Sequence, residues 1–153
     1  MPECYIIMGE NNTKKSSTVR ALTGARVRAV YDVSTRNNGQ IKIFVQISAL
    51  QEADIPPNKF IEIINAEKCD YILTSLRINE TGGHPKGYEY IKQFLNEGWN
   101  IVSVVILNKK QVPKGYPRGA PRPILIKNTG IELANSIPAN KIGSILRKRW
   151  KWY

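Results

Sequence analysis

Cys4-Tyr5-Ile6-Ile7-Met8-Gly9-Glu10-Asn11-Asn12-Thr13-Lys14-Lys15-Ser16-Ser17 is the stretch whose reading decides the fold. From Cys4 to Met8 the side chains form a short apolar run, the pattern of a strand buried on both faces. Gly9 stops the run, and the polar residues from Glu10 to Ser17 lead into Ser17-Thr18-Val19-Arg20-Ala21-Leu22-Thr23-Gly24. That last stretch predicts a helix of about two turns, closed by Gly24 in the left-handed C-terminal position. A buried strand, a glycine turn and a helix thus follow one another directly.

Working outward, Val27 to Val33 and Ile41 to Ala49 alternate in polarity around Asn38-Gly39, which predicts an antiparallel hairpin with a two-residue turn. Pro56-Pro57 opens a helix with Phe60, Ile61, Ile63 and Ile64 at helical spacing, ending near Lys68. A strand is expected over Asp70 to Leu76. Pro85 then suits a first helical position, and Tyr88, Ile91, Phe94 and Leu95 form a stripe that Gly98 ends. Trp99 to Leu107 reads as a buried strand, Asn108 to Arg122 as a loop rich in Pro, Gly and cations, and Pro123 to Lys127 as a last short strand. The final helix runs from Pro138 to about Trp150, with Ile142, Ile145 and Leu146 facing inward. Strands alternating with helices need crossover connections, so the expected fold is α/β: one domain over residues 1–153, with a mainly parallel sheet of about six strands, one antiparallel edge strand, and helices on both faces.

A turn after a first strand binds phosphate when successive backbone N–H groups converge, a helix N-terminus adds partial positive charge, and a lysine and a hydroxyl complete the shell. Against the pattern GxxxxGK[ST], Gly9 matches the first glycine, Lys15 the lysine and Ser16 the hydroxyl, while Lys14 stands at the second glycine. The same residues also suit an ordinary glycine turn with Ser16 or Ser17 capping the helix.

The run from Ile6 to Leu22 resembles the Walker A segment of P-loop NTPases, including chromosome-maintenance and repair ATPases with GENN-type loops. This resemblance implies a three-layer α/β/α P-loop domain that binds ATP, GTP or another phosphorylated ligand. Gly9, Asn11, Asn12, Thr13, Lys14, Lys15, Ser16 and Ser17 would surround the phosphates, and Mg²⁺ would accompany a nucleoside triphosphate. The order of elements is similar to that of Ras-like small GTPases. In that resemblance Asn108 and Lys109 stand where NKxD reads the base, and Gln51 and Glu52 fall in register with DxxGQ. Ile47, Leu50 and Gln111 replace the metal-binding Asp, the switch glycine and the base-reading Asp. The implied NTP hydrolase activity is accordingly weak, partner-dependent or absent. Lys15, Gln51 and Arg77 are the expected catalytic residues, Arg77 because an arginine at a strand's carboxyl end can clamp phosphate. Ser16 and Glu52 are the expected metal ligands; alternatively Lys14 and Lys15 neutralise the phosphates without a metal.

Charge offers a second reading. The net charge is +11, and from residue 98 onward eleven Lys and Arg face one acid, Glu132, whereas residues 1–97 carry twelve basic and eleven acidic residues. A field of this kind draws phosphate-bearing partners. Arg147, Lys148, Arg149, Trp150, Lys151 and Trp152 interleave cations with aromatics, as in surfaces that neutralise phosphates while stacking on bases. A non-enzymatic nucleic-acid-binding module using this tail is therefore an alternative, as is a degenerate P-loop scaffold that docks protein partners; the two tryptophans could equally pack onto the domain. The single histidine, His84, excludes a histidine-based metal cluster or catalytic pair. Cys4 and Cys69 lack the spacing of a CxxC site and are expected as buried, reduced thiols. Apolar runs fall short of a membrane span and the first residues lack a signal-peptide pattern, so the expected location is the cytoplasm.

Overall fold

The computed structural model describes residues 1–10, 13–108, 130–134 and 137–153, with the backbone alone for 108 and 130–134. Six strands, β1 (Glu3–Gly9), β2 (Ala29–Ser34), β3 (Gln40–Ala49), β4 (Tyr71–Arg77), β5 (Asn100–Asn108) and β6 (Gly130–Ala134), form one sheet in the order β2-β3-β4-β1-β5-β6. β2 pairs antiparallel with β3, and all other pairings are parallel. Four helices complete the described fold: α1 (Lys15–Thr23), α2 (Pro57–Glu67), α3 (Gly87–Asn96) and α4 (Ala139–Trp150).

β1 lies between β4 and β5, which explains its unbroken apolar run: alternate side chains enter two different cores. Ile6 and Met8 join Phe44 and Ile72 in a cluster with Phe60 and Ile64 of α2 and Tyr90 and Phe94 of α3. Tyr5 and Ile7 join Ile43, Leu73 and Val105 in a second cluster, with Val19 and Leu22 of α1 and Ile142 and Leu146 of α4. In the first cluster Phe60 touches the rings of Phe44, Phe94 and Trp99 at centroid distances of 5.8–6.1 Å, within the range of favourable edge-to-face contact. Burial raises the Tyr90 hydroxyl pKa to about 12, and that hydroxyl donates to the Ile55 carbonyl at 2.7 Å.

Several expectations are corrected. α1 begins at Lys15, two residues before the expected start, and Lys14 rather than a serine is its N-cap. The hairpin closes through Thr35–Gly39 instead of a two-residue turn, because the Thr35 N–H and hydroxyl both donate to the Gly39 carbonyl at 2.8 and 2.7 Å. α3 starts after Pro85, at Gly87, where Met8 and the Arg77 carbonyl leave no space for a Cβ atom. The last strand is Gly130–Ala134; the expected strand at Pro123–Lys127 and the loop up to Arg122 lie outside the described residues beyond Asn108. Ile145 is 39% exposed rather than inward, since Gly143 takes the third contact position of α4, with Ala21 of α1 3.1 Å from where its Cβ would lie. Cys4 is fully buried, and burial raises its thiol pKa, while Cys69 is only partly covered. Gly24 closes α1 as expected, at φ 71° with its N–H on the Arg20 carbonyl. Among the described residues no helix is long and apolar enough to cross a membrane.

Phe60→Ala would open a cavity among the rings of Phe44, Phe94 and Trp99 and is expected to cost about 3–5 kcal/mol, read as a fall in Tm of roughly 10 °C or more by circular dichroism.

Candidate phosphate-binding loop

The chain leaves β1 at Gly9, which pairs in register with Arg77 on one side and Leu107 on the other. A Cβ at Gly9 would lie 2.2 Å from the Thr13 hydroxyl and 3.1 Å from the Leu107 carbonyl, so the first glycine of the pattern is a packing requirement. The Glu10 carbonyl is the hub of the turn: it accepts the Thr13 hydroxyl and the Lys15 ammonium, each at 2.7 Å. Thr13 and Lys15 are buried, at 1% and 6% exposure. A buried lysine stays charged only where oxygens replace its water, and here its ammonium is folded over the turn's own backbone.

Lys14 has φ 67° and ψ 25°, the left-handed conformation that glycine adopts most easily. Its exposed side chain points out of the turn, with Nζ 3.4 Å from the Ile137 carbonyl at the start of α4. The lysine at the second glycine position therefore keeps a glycine-like backbone. No side chain caps α1: Ser17 is exposed, and the Ser16 hydroxyl donates instead to the Ile47 carbonyl of β3 at 3.4 Å. The serine-capped turn that the composition also allowed is thus not formed, and among the described residues no side-chain acceptor meets the amides that open α1.

β4 frames the other side. The Ile78 N–H donates to the Gly9 carbonyl at 3.3 Å and the Asn79 amide donates to the Glu10 carboxylate at 3.3 Å. β1 continues into α1 on one face of the sheet and β4 into α3 on the other, so the loop occupies a switch point of the topology, where ligands bind in open α/β sheets. On the α1 side the hydroxyls of Thr18 and Ser75 are buried with no hydrogen-bond partner among the described residues, although buried polar groups ordinarily find one. Ser75 faces this side because it pairs with Ile7 and lies two residues beyond Leu73, on the same face of β4.

Other expected site residues are placed as follows. Arg77 stands opposite Gly9, with Nε 3.8 Å from a Glu52 carboxylate oxygen. Glu52, expected at a metal, is thereby turned toward Arg77. Gln51, expected to act on water, is 3% exposed; it donates to the carbonyls of Arg77 and Pro85 at 2.9 and 3.3 Å and accepts the Arg77 N–H at 3.0 Å. Its amide holds the β4–α3 junction. Asn11, Asn12 and Lys109, together with the Asn108 side chain, lie outside the described residues. His84 Nε2 is 2.6 Å from an Asp54 carboxylate oxygen, on the far side of the junction that Gln51 holds.

In the tail, Trp152 is 2% exposed and Trp150 partly buried, their rings 4.8–5.1 Å from Tyr5 and from each other. Of the two arrangements that the sequence allows, this is the one in which the tryptophans pack onto the domain. Arg147 donates to the Ala21 carbonyl of α1, leaving Lys148, Arg149 and Lys151 exposed. The Glu10 carbonyl, Thr18 and Ser75 had no signature in the sequence, because their proximity is set by strand register and helix packing. Comparison with protein-family models, with curated proteins and with solved structures finds no match for the chain.

Lys14→Gly should keep the turn and relieve its left-handed strain, raising stability by about 1 kcal/mol in thermal denaturation, whereas Lys14→Val should lower it. Gln51→Ala strands two carbonyls and an N–H at the junction and should cost about 2–3 kcal/mol in the absence of any ligand; an unchanged Tm would remove the structural role given to this side chain.

Proposed function

We propose that Gly9–Ser17 holds the phosphates of a nucleoside triphosphate or another phosphorylated small ligand, in a three-layer α/β/α domain of P-loop type. The observation that carries this reading is the left-handed backbone of Lys14 with its side chain turned away. A residue other than glycine holds that conformation at a cost of roughly 1–2 kcal/mol, and it carries the Lys14 side chain toward the Ile137 carbonyl instead of into the turn. Backbone N–H groups at the start of α1 supply the cradle, its partial positive charge favours an anion, and Lys15 supplies a buried cation beside it. Thr13 shapes the turn through the Glu10 carbonyl. Arg77, opposite Gly9, is the second cation on the strand ends and Ser16 an oxygen at the helix start.

The residues around Ser16 do not fit a magnesium ion, which wants several oxygen ligands in octahedral array. Ser16 reaches a carbonyl of β3, Glu52 is directed at Arg77, and no group of three His, Cys, Asp or Glu side chains gathers among the described residues. Lys15 and the helix amides, with Arg77 at the strand ends, are then the groups that neutralise phosphate charge, while Lys14 contributes its backbone. With Gln51 committed to backbone groups, the water-orienting part of a hydrolase is missing from the described residues, so the reading is ligand binding, with hydrolysis weak, dependent on a partner, or absent.

Thermal shift with ATP, GTP, their diphosphates and inorganic triphosphate, each with and without Mg²⁺, tests this. A ligand at about 100 times its Kd should stabilise the fold by about 2.7 kcal/mol, with little dependence on Mg²⁺. Lys15→Ala should weaken apparent affinity tenfold or more, the scale of one lost hydrogen bond to a charged group. No shift with any of these ligands would refute the proposal.

A further inference from the structure

The helix pairs divide the charge of the molecule as they divide its core. No acid occurs between Glu10 and Asp32, the stretch carrying α1, or after Glu132, the stretch carrying α4. The α2 and α3 segments instead hold Glu52, Asp54, Glu62, Glu67, Glu89 and Glu97. Asp32 alternates with Val33 of the α1/α4 core, which puts it on the opposite face, where it pairs with Lys42 at 3.0 Å. Glu3 shares the α1/α4 side by alternation, but lies at the start of β1 beside Tyr5 and Tyr71.

α1 and α4 run parallel, tied at one end by Lys14 to the Ile137 carbonyl and at the other by Arg147 to the Ala21 carbonyl. Arg20 on α1, Lys141, Lys148 and Arg149 on α4, and Lys151 just beyond it are all exposed. Among the described residues the ion pairs lie elsewhere: Lys42–Asp32, Lys59–Glu62, Arg77–Glu52 and His84–Asp54. Lys141 and Lys148 are seven residues apart, two helical turns, and so share a stripe about 10 Å long. A row of cations that no carboxylate pairs among the described residues matches a regular array of phosphates.

The same face argues against other polyanions. A helix lying on an anionic membrane needs an apolar face to insert, but Ile142 and Leu146 of α4 are fully buried in the core and Ile145 is its one exposed large apolar side chain. Single-stranded nucleic acid is held by bases stacking on exposed aromatics. Here Trp150 and Trp152 pack on Tyr5, and the exposed Tyr153 already has Arg36 5.5 Å from its ring. We propose that the α1/α4 face binds duplex nucleic acid through its phosphate backbone, without reading base sequence. This surface is separate from the interior of the Gly9–Ser17 turn.

The test is fluorescence anisotropy of the full chain with a labelled DNA duplex of about 24 base pairs and arbitrary sequence, titrated between about 50 and 200 mM KCl. Log affinity should fall linearly with log salt, with a slope of about 3–4 for four phosphate contacts. The triple variant Lys148→Gln/Arg149→Gln/Lys151→Gln, and separately Arg20→Gln, should lose affinity, the triple variant at least tenfold. Lys59→Gln/Lys92→Gln on the opposite face should stay within about twofold, all at unchanged Tm. Lys15→Ala should bind DNA as the natural chain does, which separates failure here from failure of the phosphate loop. Equal loss from both faces, tighter binding to the unannealed strand or to phosphatidylserine vesicles, or no binding to the duplex would overturn the proposal.

Discussion

The structure depends on how the chain leaves the middle of its sheet. β1 ends between two neighbours, β4 and β5, and within a few residues the backbone must rise off the sheet and enter α1. Gly9 meets this constraint because nothing larger fits beneath Thr13 and against the Leu107 carbonyl. Lys14 meets it by accepting a left-handed backbone, and the Glu10 carbonyl fixes the turn by taking two donors at once. α1 is thereby aimed along β1, and α4 follows it in parallel through Lys14 at the entrance and the close Ala21–Gly143 contact further along.

A second junction balances the first. Where β4 ends, Gln51 satisfies the N–H and carbonyl of Arg77 and the carbonyl of Pro85, and this sends the chain to α3 on the other face. Buried polar groups that are fully bonded specify one geometry, because any other leaves donors or acceptors stranded away from water. The ends of β1 and β4 at Gly9 and Arg77 therefore stand side by side with their helices in different cores, the arrangement found at a switch point of an open sheet. The division of helices also divides charge, since the acid-free stretches of the chain become α1 and α4 and the acidic ones α2 and α3.

Much of this was legible in the chain itself. An unbroken apolar run such as Cys4–Met8 has no polar face to expose, so its place in the sheet interior follows from composition. The alternation around Asn38-Gly39 gave the antiparallel pair, but Thr35 widened the connection with its own hydroxyl, a local competition that pattern counting does not register. β6 was not foreseen, because Gly130–Ala134 is short and follows a stretch rich in proline and cations. Ile145 matched the helical stripe yet is exposed, since the buried face of α4 runs through Ile142, Gly143 and Leu146.

The sequence by itself determined the strands β1 to β5 and the four helices in outline, that β1 is buried, and that a glycine turn carrying two lysines opens a helix; these follow from the period of apolar residues and from local backbone preference. Only the tertiary structure decided that Lys14 turns outward, that Gln51 and Glu52 are held at Arg77, that Trp150 and Trp152 pack on Tyr5, and that the exposed cations of α1 and α4 share one face. Those outcomes depend on strand order and helix packing between residues up to about a hundred positions or more apart, and no short-range property of a chain encodes which of its distant segments will meet.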